Sequence, residues 1–172
     1  MNHPAILGPA DLQSFLKANQ IPGEMLHLDS PTPTVETAAL AVGAQPEQIV
    51  KSILFLVDEL PVLAITCGTA YVERRAISVR FGVGRKKVKL AAPDRVAEET
   101  GYLIGAMPPF GHRQRLTTLI DWRVLEREIV YAGGGSDFNL LRLDPHTILE
   151  ITRGEVFDLI APASDETQIM PG

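Results

Sequence analysis

The stretch Gln48–Val57 (QIVKSILFLV) limits the fold more than any other part of the chain. An apolar run of this length, rich in Ile, Leu, Val and Phe, reads as a strand buried on both faces or lining a closed sheet. Asp58-Glu59-Leu60-Pro61 then turns the chain, and Pro61–Thr66 is a second apolar run, so the two form a hairpin. Lys51 interrupts the first run at its mouth, followed by Ser52. A lysine there has two readings. Its ammonium snorkels into solvent from the strand end, or it sits in a partly desolvated pocket and binds a carbonyl, a carboxylate or a phosphate.

The other elements follow from periodicity and punctuation. Helices are expected at Pro9–Asn19, Val35–Val42, Tyr71–Phe81, Pro93–Thr100 and from Asp144-Pro145 to Thr152. Thr34 caps the second of these and Gly43 stops it, Gly82 breaks the third, and Gly154 caps the last. Gln45–Gln48 is a single turn with proline at its first position. Further strands are expected at Glu24–Leu28, Lys87–Leu90, Thr117–Asp121, Glu128–Tyr131, Asn139–Leu143 and Val156–Ile160. Residues 1–172 read as one domain, with an N-terminal helix at 9–19, a core over about 26–160 and a frayed tail from Ala161.

Charge and composition exclude several function classes. The formal net charge is −5, which argues against indiscriminate binding to nucleic acid. Yet Arg74, Arg75, Arg80, Arg85, Lys86, Lys87 and Lys89 fall within sixteen residues with no acid among them. That run is either a solvated face or a local phosphate-binding stripe. No apolar run approaches the ~18 residues of a membrane helix, and the N-terminus lacks a signal pattern, so a cytoplasmic location is expected. Cys67 is the single cysteine, which rules out an internal disulfide and a cysteine-based zinc site, and it reads as a buried inert thiol. His3, His27, His112 and His146 have no metal-ligand spacing, and no metal or cofactor is expected. Ser136 lies outside a Gly-x-Ser-x-Gly elbow, and no phosphate-loop motif for ATP is present.

Two stiff segments remain. Gly101-Tyr102-Leu103-Ile104-Gly105-Ala106-Met107-Pro108-Pro109-Phe110-Gly111-His112 carries three glycines and two prolines, which hold its backbone tightly. It is a structural connection or a loop that aims amides at a ligand. Gly133-Gly134-Gly135-Ser136 follows a strand, and a glycine triplet there implies close approach of something to the backbone or a hairpin connection. Rigid N–H groups stabilise an oxyanion, and one such donor is worth ~2.7–4 kcal/mol. Together with the strand lysine, this set suits hydrolysis of an activated ester on a polyanion, or plain binding of an anionic ligand.

From about Leu26 to Ile160 the chain resembles the YbaK/EbsC family, which includes the editing domains associated with prolyl-tRNA synthetase. The resemblance rests on Gln45–Leu54 as the lysine strand, on Gly101–Gly111 with Gly105 and Pro109 as the defining pair, and on Tyr131–Ser136 as the glycine loop. It implies an α+β fold, with a mixed, barrel-like sheet flanked by helices. It also implies trans-editing: hydrolysis of the ester of a mischarged tRNA, here a small amino acid on a tRNA-Pro or similar substrate. Under that resemblance Lys51 contacts the terminal nucleotide or the aminoacyl group, and Gly105 binds the aminoacyl carbonyl and positions water. Thr34, Ser52, Gly101, Ala106, Met107, Pro108, Pro109 and His112 are further expected substrate contacts, with Gly133, Gly134, Gly135 and Ser136 on the opposite wall. The basic stripe becomes a contact for the acceptor end of tRNA, and a synthetase is a second expected partner. Family members often lack a protein general base and lean on a ribose hydroxyl or bound water. Leu140 stands where cysteinyl-specific members carry an acid, and Gly133 where they carry serine, so alanine is as suitable a substrate as cysteine. A non-catalytic tRNA or small-anion binding module on the same fold is the alternative.

Overall fold

A computed structural model describes residues 5–160. The tail expected to fray from Ala161, and His3, lie outside the described residues. Helix α1 (Pro9–Ala18) buries Leu12 and Leu16 and is followed by strand β1 (Glu24–His27). Helix α2 (Val35–Val42) begins where the Thr34 hydroxyl accepts the Thr37 N–H at 3.1 Å, and ends at Gly43, whose φ is +67°. A 3-10 turn at Pro46–Gln48 delivers the chain into β2 (Val50–Val57), which pairs antiparallel with β3 (Leu60–Cys67). Then come α3 (Arg74–Phe81), β4 (Val88–Leu90), α4 (Pro93–Thr100), β5 (Thr117–Asp121), β6 (Val130–Gly133), β7 (Asn139–Leu143), α5 (Pro145–Thr152) and β8 (Glu155–Phe157).

The strands form two sheets. One is five-stranded, in the order β4-β2-β3-β5-β8, with antiparallel pairs around β2 and parallel pairs around β5. The other is three-stranded and antiparallel, in the order β1-β7-β6. A parallel bridge between Ile49 and Tyr131 joins them. The architecture is therefore the expected mixed α+β one, with a sheet in two pieces that meet at this bridge instead of closing into a barrel.

Side-chain alternation along the hairpin divides the interior. Val50, Leu54, Leu63 and Ile65 face a core shared with Leu12, Tyr102, Met107, Ala132 and Leu141. Phe55, Val57, Val62 and Ala64 face the other side, where Ile77 of α3 and Leu159 cover them. The central hairpin is thus apolar on both faces, as its composition requires.

Several element boundaries differ from the sequence expectation; the closing strand, for one, is Glu155–Phe157 and not Val156–Ile160. The helix expected from Tyr71 starts at Arg74, because the Glu73 carboxylate caps it by accepting the Arg75 N–H at 3.0 Å. Val72 instead bridges Ile160, which leaves Tyr71 outside the helix. The last helix ends at Thr152 as expected, but its cap is Arg153, with φ +51°, and not Gly154. Strand β6 runs on to Gly133, so the first glycine of the triplet is a ladder residue opposite Leu140.

Candidate active site

Strand β2 is only half covered on its outer edge. β4 pairs with Phe55–Val57 and stops, so the stretch around Val50–Ile53 borders a cavity of ≈ 460 Å³. Its walls include the start of α2 (Thr34, Val35, Ala38), β2 itself, Tyr71, Val72 and Arg74, the end of β4 with Ala91, Val96 of α4, the turn at Ile104, Gly105 and Met107, and Gly133 with Leu140. The polar groups Lys51, Ser52, Thr34, Thr32 and Arg74 share this space with a mostly aliphatic lining. None of the described lining residues is Asp, Glu or His.

Lys51 is half-buried on this wall and donates to the Ala70 carbonyl at 3.0 Å. Desolvation lowers its pKa below the usual lysine value, and the nearby Cys67 and Glu36 act against that shift. A cation that is partly dehydrated and tethered by one of its three donors keeps the others for a ligand. Cys67 is buried, and burial raises its thiol pKa, which fits the inert role expected of it.

The Gly/Pro loop faces the same cavity through Ile104, Gly105 and Met107. Ala106 N–H donates to Leu103 O at 3.2 Å, closing a turn in which Gly105 has φ +85°. No side-chain atom would be tolerated cheaply in that conformation, although space beside Gly105 is open. The Gly105 and Met107 N–H groups have no acceptor among the described residues.

What approaches the glycine triplet is the protein's own backbone. A Cβ on Gly133 would lie 2.3 Å from Met107 O and 3.0 Å from Ala106 O. A Cβ on Gly134 would meet Asn139, and one on Gly135 would meet Gly8 and Pro9. Gly135 N–H donates to Ala106 O at 2.8 Å, so the two stiff segments are bonded to each other. Of the triplet only Gly133 lines the cavity. Ser136 closes the turn instead, its Oγ 2.6 Å from Asn139 Oδ1.

Several expected site residues stand behind the loop. His112 donates through Nε2 to Pro108 O at 2.7 Å and stacks edge-on against Tyr102 at 6.2 Å. Burial pushes its pKa down to about 4, so it is neutral at physiological pH. His112 and Pro109 line a second cavity of ≈ 380 Å³ on the far side, and Gly101 caps α4 with φ +88°. Ala106 and Pro108 are buried within the loop. Of the basic stripe, Arg74 reaches the main cavity, Arg80 pairs with Glu155, and Lys87 lies 3.8 Å from Asp58. Arg75, Arg85, Lys86 and Lys89 are exposed. Sequence reasoning missed Tyr71, which is 84% exposed at the rim, together with Leu90 and Ile104. The cap at Glu73 was the available signal, since it ends the loop two residues after Tyr71.

The family described as the aminoacyl-tRNA editing domain matches residues 29–151. YwhH, an uncharacterized protein of Bacillus subtilis (strain 168), is 25% identical over 135 residues, covering 78% of this chain and 84% of that protein. Proline–tRNA ligase of Maridesulfovibrio salexigens is 31% identical over 96 residues, 52% of this chain but 16% of the ligase. A crystal structure described as that of a candidate trans-editing enzyme for prolyl tRNA synthetase superposes with a TM-score of 0.83 at 30% identity. That likeness covers 90% of this chain and 97% of the other. Among the described residues no helix is long and apolar enough to cross a membrane, and no cluster of three metal-ligating side chains occurs.

Proposed function

The chain belongs to the aminoacyl-tRNA editing domain family, and on that premise we propose that it is a trans-editing deacylase. It hydrolyses the ester between a misattached small amino acid and the terminal ribose of a tRNA. The observation that carries the reading is the shared cavity: the half-buried Lys51, the free Gly105 and Met107 amides and Gly133 all border it.

In this reading water attacks the ester carbonyl, the C–O bond to the ribose breaks, and the products are a free amino acid and a ribose hydroxyl. The carbonyl oxygen gains negative charge in the transition state. Preorganised amides at Gly105 and Met107 stabilise it, as oxyanion-hole donors do. Lys51 holds the anionic or carbonyl end of the substrate as a point charge. With no carboxylate or imidazole on the described lining, the water's proton passes to the departing ribose oxygen or to solvent. Arg74 and the exposed cations beside it supply contacts to the phosphates of the acceptor end. A synthetase partner fits the association of this family with proline–tRNA ligase.

A panel of mischarged tRNAs tests this. The expected result is turnover of at least one small aminoacyl ester, with Lys51→Ala slowed by a hundredfold or so. The same lack of an acid–base side chain favours a second reading, a binding module without turnover. Saturable tRNA binding with no hydrolysis across the panel selects that reading and rejects the first.

A further inference from the structure

The Gly101–His112 loop has a second face. Met107 borders the main cavity, while Pro109 borders the separate cavity of ≈ 380 Å³ behind the loop. That volume lies at the small end of the range for ligand pockets, about 300–1,000 Å³. The end of α1, the loop from Pro109 to His112, the start of β5 and the end of α5 meet around it.

Its lining divides into a floor and a rim. Phe110 and Leu116 are buried, and Phe15 and Ile151 pack partly buried against the same core. The rings of Phe15 and Phe110 lie 6.0 Å apart. These side chains form an apolar floor. Arg115, Glu150 and Arg153 line the same cavity and are exposed, so they form its rim. Opposite charges share this rim without closing on one another. None of the three comes within salt-bridge distance of another. A guanidinium offers a planar fork that fits a carboxylate with two parallel N–H···O bonds. A carboxylate such as Glu150 accepts from an ammonium. A simple anion would meet Glu150, and a simple cation would meet two guanidinium groups. A compact ligand that carries both signs beside an apolar group satisfies the whole lining.

We propose that this back cavity binds a free α-amino acid with an apolar side chain. Arg115 and Arg153 hold its carboxylate, Glu150 its ammonium, and the Phe15–Phe110 floor its side chain. The site is separate from the Lys51 cavity but shares the loop with it. His112 Nε2 donates to Pro108 O at 2.7 Å, and Ala106 O accepts the Gly135 N–H at 2.8 Å, so the intervening segment is stiff. A ligand that favours one position of Pro109–His112 biases the Gly105 and Met107 amides on the other face. Binding stands apart from the deacylase reading; the effect on turnover rests on it.

The test titrates the full chain with L-leucine by calorimetry, beside L-leucinamide and N-acetyl-L-leucine, each of which lacks one of the two charges. L-leucine is expected to bind saturably and each control about tenfold more weakly, the scale of a hydrogen bond to a charged group. Arg115→Gln and Glu150→Gln should weaken L-leucine by a similar factor, and Lys51→Met should leave its affinity unchanged. No saturable binding, or equal binding of the controls, overturns the proposal. So does binding lost in Lys51→Met and kept in the Arg115 and Glu150 variants, which puts the amino acid in the main cavity. Deacylation of a mischarged tRNA with and without L-leucine reads the coupling, expected as about a fivefold change in rate that Glu150→Gln abolishes. An unchanged rate with binding intact upholds the site and overturns the coupling. Binding with no deacylation of any tRNA upholds the site and overturns the deacylase reading, and the coupling with it.

Discussion

Adding one methyl group at Gly133 tests the architecture of the site most directly. In Gly133→Ala the new Cβ would stand 2.3 Å from Met107 O and 2.8 Å from Met107 C, both backbone atoms. Ordinary contact begins at 3.4 Å, so the loop must withdraw by about 1.1 Å, the difference between 3.4 Å and 2.3 Å. It is not free to do so. Ala106 O is bonded to Gly135 N–H at 2.8 Å and Pro108 O to His112 at 2.7 Å. Withdrawal strains or breaks these, and overpacking of this kind costs about 1–3 kcal/mol. The effect on catalysis is larger, because displacing catalytic groups by ~1 Å lowers the rate about a hundredfold. Urea denaturation gives the first quantity and single-turnover deacylation the second, measured where both proteins are fully folded. Gly105→Ala is the companion variant: its Cβ meets nothing within 4 Å, and its only cost is φ +85°, about 1 kcal/mol or somewhat more. A Gly133→Ala protein with wild-type stability and turnover would refute the claim that β6 and the loop define the site by direct contact.

Other outcomes follow from single residues. Lys51→Met should abolish most deacylation yet leave stability unchanged or slightly raised, since a desolvated cation is replaced by an apolar chain of similar length; a large drop in urea midpoint would contradict this. His112 is held neutral with a folded pKa of about 4, so the unfolded chain takes up the proton first as pH falls. Stability is therefore full above about 6.5, declines as pH drops, and levels off near 4, with a loss of at most ~3 kcal/mol. His112→Gln should remove that component, read as the difference between urea midpoints at pH 7 and pH 4.5. Native Cys67 should resist iodoacetamide, because burial both hides the thiol and raises its pKa; rapid labelling without unfolding would be inconsistent with the structure. Ile77→Ala, at the centre of the α3 face, should cost about 2–5 kcal/mol while leaving the binding of a non-hydrolysable substrate analogue unchanged at low temperature.

The central hairpin was readable because its signal is local: two apolar runs of strand length flank a turn with an acidic pair, and Asp58 and Glu59 adopt the positive φ that such a turn needs. The Thr34 and Gly43 caps were equally local. The site was legible where a residue type is rare in its context, as Lys51 is within β2. It was less legible where a glycine serves packing. Gly134 and Gly135 read in sequence like ligand-facing residues, and only the path of Asn139, Gly8 and Pro9 reveals what they accommodate. Likewise His112 reads as a polar side chain beside a functional loop. Its bond to Pro108 is local, but its burial depends on how the loop folds against Tyr102 and on α1 packing beside Gly111, which residue type alone does not report. Tyr71 lies outside the helix for two reasons, the local Glu73 cap and the Val72–Ile160 bridge, and only the first is visible in the sequence around it.

The bridge between Ile49 and Tyr131 acts as the apex of a wedge, with the cleft opening from it. An angular change between the two sheets therefore alters the width of the opening while the apex stays put, and groups farther from the apex move more. Residues packed around Ile49 that do not line the cavity, such as Ala39, Leu28 and Val42 in its cluster, can in this way tune the acceptable size of a substrate without touching it. Chains of this architecture have a route to new selectivity that leaves Lys51 and the Gly105 turn unaltered: repacking under the apex.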